Sequence, residues 1–456
     1  MAIITNPLKK QVIEQLDSDI GLTTTHYFAT IGRSEDWNDS DVAPTPLNSA
    51  REERNFRLGL QSAKKIIDIS FVVPRYNWAS GAIYSAYDDA QVGYPTQTYY
   101  VMNDNNQVYM CIQQGRNAAG QAQVSIVQPT GNTTGAPFSD TADGYVWKFL
   151  YSIGALDATK FVSANYLPVE LVTFTDSDSP AAVIEQKLVQ DNAIAGQIVG
   201  YAVDSGGSGY SSSPTISIVG DGTKAKADAT ISGGQVVNVK LIDSSGSYTL
   251  GSGYNFAEVV VTGGGSPSKP ASVRAIFGTP LGLGGDARDD LRSTAIMLNT
   301  KPTGTESTDF IVGNDFRQVG ILKNPLIGGY DSAGALFTED TGICLKKLNL
   351  STVTAGFEAD NRIKGGTSGV EALIDKVDSA NIWYHQTEAT GFGNFSAGEA
   401  ITEINGNGVG VLNVNITPYI TPEIDTMTGE LLYIDNRASV TRAADQTEDI
   451  KLVIQI

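Results

Sequence analysis

Apolar positions alternate with polar ones along most of the chain, and helical spacing occurs only in short runs. Leu8, Val12, Ile13 and Leu16 follow Asn6 and Pro7, which predicts a short amphipathic helix over 7–16 capped by Asn6. Residues 23–31, T-T-T-H-Y-F-A-T-I, predict a strand. After a polar turn and a link containing Pro44 and Pro46, Asn48 or Ser49 caps a second expected helix that runs through Ala63. Residues 66–73, I-I-D-I-S-F-V-V, predict a strand closed by Pro74. The chain is then aromatic and strand-like from Tyr76 to Pro168. Within it, Q-T-Y-Y-V-M and V-Y-M-C-I flank the turn cluster M-N-D-N-N-Q and predict a β-hairpin. Residues 145–153, Y-V-W-K-F-L-Y-S-I, predict a largely buried strand.

Residues 196–280 change character. Gly, Ser, Val and Ala dominate, and G-S-G-Y occurs twice, at 207–210 and 251–254. Six residues beyond each Tyr lies an apolar strand position, Ile216 or Val260. Each copy then has a Gly turn and an alternating Ala strand, A-K-A-D-A at 225–229 and A-S-V-R-A at 271–275. Two related β-units 44 residues apart are expected, with Gly supplying the turns and Tyr210 and Tyr254 closing the core. Residues 287–300 predict a short helix running into a strand, and 308–325 a strand, a turn and a strand. A second Gly-rich stretch, 351–416, holds V-E-A-L-I-D-K-V, N-I-W-Y-H-Q-T and F-S-A-G-E-A-I-T. The end, D-I-K-L-V-I-Q-I, is an alternating terminal strand.

Composition sharpens this into a mainly β protein. Gly (48) and Tyr (19) far outnumber Met (5), which favours turns and strands over helix bundles. A net charge of −19 repels nucleic acid and anionic membrane surfaces, so neither is expected as a partner. The N-terminal residues lack a signal-peptide layout and no apolar run reaches membrane-spanning length. Cys111 and Cys344 sit in apolar settings, and a buried free thiol is expected for each, with a disulfide as the alternative.

Candidate chemistry is sparse. His26 and His385 are the only histidines, with no C-x-x-C and no H-E-x-x-H, so no zinc site is expected. Each His reads as a structural hydrogen-bonding residue beside a catalytic alternative. G-x-S-x-G, the Walker A sequence and G-x-G-x-x-G are all absent, and neither G-S-G-Y leads into a helix that could hold a phosphate. Acidic clusters at Asp17 and Asp19, Asp39 and Asp41, 176–179, 243–247, and Asp286, Asp289 and Asp290 read as solvated turns, with weak calcium binding as the alternative. No catalytic, cofactor-binding or metal-ligating residue is assigned, and no cofactor.

Six segments together resemble one family. They are H-Y-F-A-T-I-G-R-S-E-D-W (26–37), V-V-P-R-Y-N-W-A-S-G-A-I-Y (72–84), Y-V-M-N-D-N-N-Q-V-Y-M-C-I (100–112), D-G-Y-V-W-K-F-L-Y (143–151), N-D-F-R-Q-V-G-I (314–321), and Y-I-D-N-R with Q-T-E-D-I-K (433–451). In order and spacing they resemble the baseplate wedge subunit, gene product eight, of T-even-type contractile-tailed bacteriophages. The resemblance implies a β-sandwich frame of two domains, the second interrupting the first, with a few short helices. It implies a homodimer that contacts neighbouring baseplate wedge proteins, has no catalytic residues, and sits in the virion tail baseplate after assembly in the host cytoplasm. The expected division is a discontinuous frame domain of 1–75, 285–345 and 418–456, a second β domain at 76–180, and Gly-rich insertions at 196–280 and 351–416. The alternative is a tail protein that binds or cleaves host glycans, with Trp383 and Tyr384 as its candidate aromatic contacts.

Overall fold

A computed structural model of the chain describes residues 3–38, 40–132, 139–242, 247–303, 309–328, 334–414, 419–443 and 445–456. It is mainly β. The first elements are α1 (Asn6–Ile20), β1 (Tyr27–Gly32), α2 (Ala50–Leu58), β2 (Leu60–Lys65) and β3 (Asp68–Pro74). Next come β4 (Tyr100–Met102), β5 (Gln107–Gln113), β6 (Ser139–Asp140), β7 (Val146–Ser152), α3 (Ala155–Phe161), β8 (Tyr166–Val169) and α4 (Ala181–Asp191). The first Gly-rich stretch holds β9 (Ile198–Ser205), β10 (Ser208–Tyr210), β11 (Thr215–Gly220), β12 (Asp228–Ser232) and β13 (Gln235–Lys240). It continues with β14 (Ala257–Thr262), β15 (Gly265–Lys269) and β16 (Ser272–Phe277). Then follow α5 (Ala287–Asp290), β17 (Ala295–Thr300), β18 (Asp315–Lys323), β19 (Leu326–Ile327) and β20 (Thr341–Ile343). The second Gly-rich stretch holds β21 (Lys346–Ala355), β22 (Arg362–Gly365), β23 (Glu371–Asp378), β24 (Asn381–His385), β25 (Ala400–Ile404) and β26 (Val409–Leu412). The chain ends with β27 (Tyr419–Ile420), β28 (Ile424–Asp425), β29 (Glu430–Thr441) and β30 (Ile450–Gln455).

Several elements depart from their sequence pattern. The second helix, α2, is capped by Ser49, whose side chain accepts the Glu52 N–H, but it stops at Leu58 instead of running to Ala63. Gly59 ends it, and residues 60–63 pair as the strand β2, where tertiary pairing outweighs helix propensity. Helices α3 and α4 carry no strong cap signal and were not expected; their N-caps, Gly154 and Pro180, make no side-chain cap bond. In 308–325 the first expected strand is absent: Phe310 and Ile311 are buried without pairing, and Thr308 lies outside the described residues.

The chain divides into two compact units. One comprises residues 1–13, 70–297 and 453–456. Its β4-β5-β7-β6 sheet carries an aromatic core in which Tyr84 and Tyr145 pack against Trp147, with ring centroids 5.4 and 5.6 Å away. Every residue of β7 except Ser152 is buried, as its alternating aromatics require.

The first Gly-rich stretch lies in this unit and is built on a reciprocal exchange. Strands β11 and β14 pair antiparallel, with Ser217 opposite Val260 and Ile216 opposite Val261. Exchanging the two copies maps one pair onto the other, so a pseudo-twofold axis runs between these strands. The outer strands cross over. Strand β9 of the first copy pairs with β16 of the second, and β13 of the second pairs with β12 of the first. Tyr210 accepts the Ala271 N–H at 2.8 Å, and Tyr254 accepts the Ala225 N–H at 3.3 Å. Each G-S-G-Y therefore clasps the Ala strand of the other copy, not its own. The first Gly of each motif permits the clasp: Gly207 and Gly251 have φ +64° and +65°, and a Cβ on either would stand 2.4 Å from a carbonyl oxygen of the opposite copy. One core, with Tyr210, Ala229, Val236, Val239 and Val273 at its centre, is shared by both copies.

The other unit comprises residues 14–69 and 298–452. A five-stranded antiparallel sheet, β20-β2-β1-β18-β29, packs α2 through Phe56 onto Phe28, Leu60 and Leu322. The second Gly-rich stretch closes on itself. Strands run β21-β24-β23-β22-β25-β26 and return to β21, giving a six-stranded antiparallel barrel. Leu348, Ile363, Ile374, Ile382, Tyr384 and Ile401 fill it.

Candidate functional site: a buried ionic junction

A dense cluster of buried polar side chains lies where the barrel meets the five-stranded sheet, within one unit. Period-two alternation creates it. Ile374, Ile382 and Tyr384 point into the barrel, so their neighbours Asp375 and His385 stand on its outer wall. From the sheet, β1 ends at Gly32, and Arg33 takes φ +61°, a left-handed conformation uncommon for a long side chain. That turn brings Ser34 and Glu35 to the barrel wall, and β2 supplies Gln61.

Asp375 is wholly buried. Its Oδ2 lies 2.6 Å from His385 Nδ1, while Oδ1 accepts from Gln61 Nε2 at 3.0 Å and from Ser34 Oγ at 3.4 Å. The other ring nitrogen, Nε2, is 3.4 Å from Glu35 Oε2. Burial disfavours a charged ring, but the Asp375 and Glu35 carboxylates outweigh it and push the His385 pKa up to about 10. Burial likewise opposes charge on Glu35, yet the hydrogen bond and charge of His385, with Arg33 beside it, hold that carboxyl down at about 2. Burial, with Asp315 and Asp375 nearby, raises Asp360 to about 6.

A second cation completes the junction. Arg317 on β18 is buried and pairs with Asp36 at 2.6 Å, Asp41 at 2.8 Å and Asp315 at 3.3 Å, and it also donates to the Ser34 carbonyl. Five donors in a planar fork suit one cation to so many acceptors.

A carboxylate at each nitrogen favours the doubly protonated ring of His385. In that form the ring has no free lone pair with which to act as a general base or metal ligand. Burial pushes the thiols of Cys111 and Cys344 up, away from the nucleophilic thiolate. Both cysteines are free and buried. Among the described residues no cluster of His, Cys, Asp and Glu is disposed to hold a metal ion. Two clefts of about 340 Å³ flank the junction, one lined by Arg33, Glu35, Asn55, Arg362 and Glu388, the other by Lys346, His385, Phe392 and Met427. The arrangement holds one body against another.

The residues singled out from sequence fall elsewhere or in this junction. His26 is buried at the start of β1, where its N–H donates to Asn324 Oδ1 at 2.7 Å; burial and Lys65 lower its pKa. Asp19 pairs with Lys323 at 2.5 Å, and Asp41 belongs to the Arg317 cluster. Lys10 joins Asp286 and Asp289, while Asp290 accepts from Thr279 and the Gly284 N–H. Asp176 and Ser179 close a local turn. Asp39 and residues 243–246 lie outside the described residues. Trp383 is half-buried, with Lys347 and Lys376 at 5.1 and 4.7 Å from its ring, and Tyr384 is sealed in the barrel core against Phe395. Glu35, Gln61, Asp375 and Arg317 were not foreseen. One signal was present: Asp375 interrupts the apolar run A-L-I-D-K-V, and a tight turn at Ser379-Ala380 folds the following strand back beside it.

No protein-family model matches the chain, and no curated protein matches it. No described helix is long and apolar enough to cross a membrane.

Proposed function

We propose that this chain is a structural subunit of a contractile-tail phage baseplate wedge, a homodimer that links neighbouring wedge proteins and takes part in baseplate assembly and tail contraction. The observation that carries the reading is where the six family-like segments lie. Three of them, distant in sequence, supply the adjacent strands β1, β18 and β29 of one sheet. Two others supply β4, β5 and β7, adjacent in another. Arg317, from N-D-F-R-Q-V-G-I, bonds directly to Ser34 and Asp36 of G-R-S-E-D-W. Five of the six segments thus supply paired strands outside the two Gly-rich stretches, which close on cores of their own.

On this reading the protein acts mechanically, without catalysis, cofactor, nucleic acid or membrane, in the tail baseplate of a virion assembled in the host cytoplasm. The ion pairs around His385 support it, because they tie these groups to one another within the fold. The glycan alternative draws less support: Tyr384 is out of reach and Trp383 is flanked by two lysines. Sedimentation should give twice the chain mass at micromolar concentration, and density for the subunit should be found in the wedge of the virion. A monomer, or glycan binding abolished by Trp383→Ala, would favour another function.

A further inference from the structure

The chain contains two Asn–Gly steps, Asn405-Gly406 and Asn407-Gly408, consecutive in the loop between β25 and β26. In such a step the backbone nitrogen of the Gly can attack the Asn side-chain Cγ. The N–Cγ bond forms, the Cγ–amide bond breaks, ammonia leaves, and a five-membered succinimide results. Water then opens either carbonyl of that ring, giving aspartate or isoaspartate. Gly follows because no Cβ hinders its nitrogen. The reaction needs an Asn side chain free to rotate and a Gly N–H free of other bonds.

The fold treats the two steps differently. Glu403, at the end of β25, folds its carboxylate under the loop. Its Oε2 accepts the Gly408 N–H at 2.8 Å, and its Oε1 accepts the Glu358 N–H at 3.0 Å and Asn361 Nδ2 at 2.9 Å. Gly408 is buried, and a Cβ there would stand 2.4 Å from the Phe357 ring. The nitrogen needed to cyclise Asn407 is therefore engaged and enclosed. Asn405 and Gly406 are both exposed, and among the described residues nothing accepts a hydrogen bond from the Gly406 N–H. Asn405 also stands at φ +64°, in the left-handed region.

We propose that Asn405 is a site of spontaneous hydrolytic deamidation with water as the only co-reactant, and that the Glu403 hook protects Asn407. The consequence is local and structural. Isoaspartate at 405 inserts a methylene into the backbone where the loop is tightest, since a Cβ on Gly406 would already lie 2.0 Å from Glu403 Oε2. The hook can no longer close, and the β25–β26 edge of the barrel loosens.

The test is to age the intact protein in mildly alkaline buffer made with isotopically heavy water, then map peptides by fragmentation that separates positions 405 and 407. A urea-unfolded sample serves as control. Label should enter at 405 in the folded chain, with position 407 slower by about tenfold or more, the effect of a hydrogen bond to a charged acceptor. Both positions should react alike in urea. Glu403→Gln should narrow the gap at 407. Equal rates in the folded protein, faster reaction at 407, or protection of both positions while the urea sample reacts would overturn the assignment.

Discussion

Replacing His385 by Gln tests whether the junction is an ion cluster or a set of neutral hydrogen bonds. In the wild type the His385 ring lies between two carboxylates, which push its pKa up from 6.5 to about 10. That rise is worth on the order of 5 kcal/mol, shared among the three partners. Because the folded pKa is the higher one, the contribution is fully present below 6.5 and is lost as pH climbs through 10. Between those limits the folded chain holds a proton that the unfolded chain has released, so this group lowers stability by about 1.4 kcal/mol per pH unit. Gln can donate to one carboxylate but brings no charge, and it leaves Asp375 buried and uncompensated. Breaking a buried pair from one side costs about 3–5 kcal/mol. The variant should therefore be far less stable than the wild type near neutral pH, with the difference closing towards pH ~10. Urea unfolding at a series of pH values, read by hydrogen exchange at barrel amides, gives the two curves. With only two histidines in the chain, the variant also assigns the His385 ring signal by NMR. A ring that titrates near its ordinary value, or a stability deficit that does not change with pH, would refute the ion cluster.

Three further expectations rest on separate contacts. Gly207→Ala and Gly251→Ala each force a side chain into left-handed backbone against a carbonyl, at ~1–3 kcal/mol or more. Either should lower amide protection on both the β9–β16 and β12–β13 pairs, because the copies exchange clasps; loss confined to one pair would mean that the copies fold independently. Arg317→Lys replaces a fork by a point charge that cannot reach Asp36, Asp41 and the Ser34 carbonyl together, and an unchanged melting temperature would count against the fork. Asp290 is buried and its pKa is pushed up to about 7, so its own contribution to stability should fall as pH rises from 3.8 to 7. Asp290→Asn should flatten that slope, and a slope equal in both proteins would assign it to other groups.

Local pattern reported strands well and closure poorly. The β4–β5 hairpin, β7 and the twin G-S-G-Y corners were legible because period-two alternation and turn residues are short-range signals. The end of α2 was not. Its helical pattern continues past Leu58, and only the pairing of 60–63 between β1 and β20 decides the matter. The exchange of clasps was likewise hidden, since each motif precedes an Ala strand of its own copy and nothing nearby says that it binds the other. The ionic junction failed to show for the same reason. Glu35, Gln61, Arg317, Asp375 and His385 come from five separate strands and turns, and their chemistry exists only once the barrel is seated.

The two Gly-rich stretches solve one problem in two ways. A β module beside other sheets risks pairing with them, because any free strand edge is a template for another strand. The 346–412 barrel removes its edges by joining β21 to both β24 and β26. The 198–277 unit instead lets each copy complete the other, with β13 lying along β9 and the Val236 N–H donating to the Gly206 carbonyl at 2.8 Å. Beyond the closed barrel, β21 also pairs with β27 through its backbone. Charged side chains supply further seams. His385 and Asp375 seat the barrel, and Arg274, paired with Asp88 and Asp89, ties β16 to the aromatic domain. These ion pairs can be removed one at a time by point substitution, without unpairing a strand.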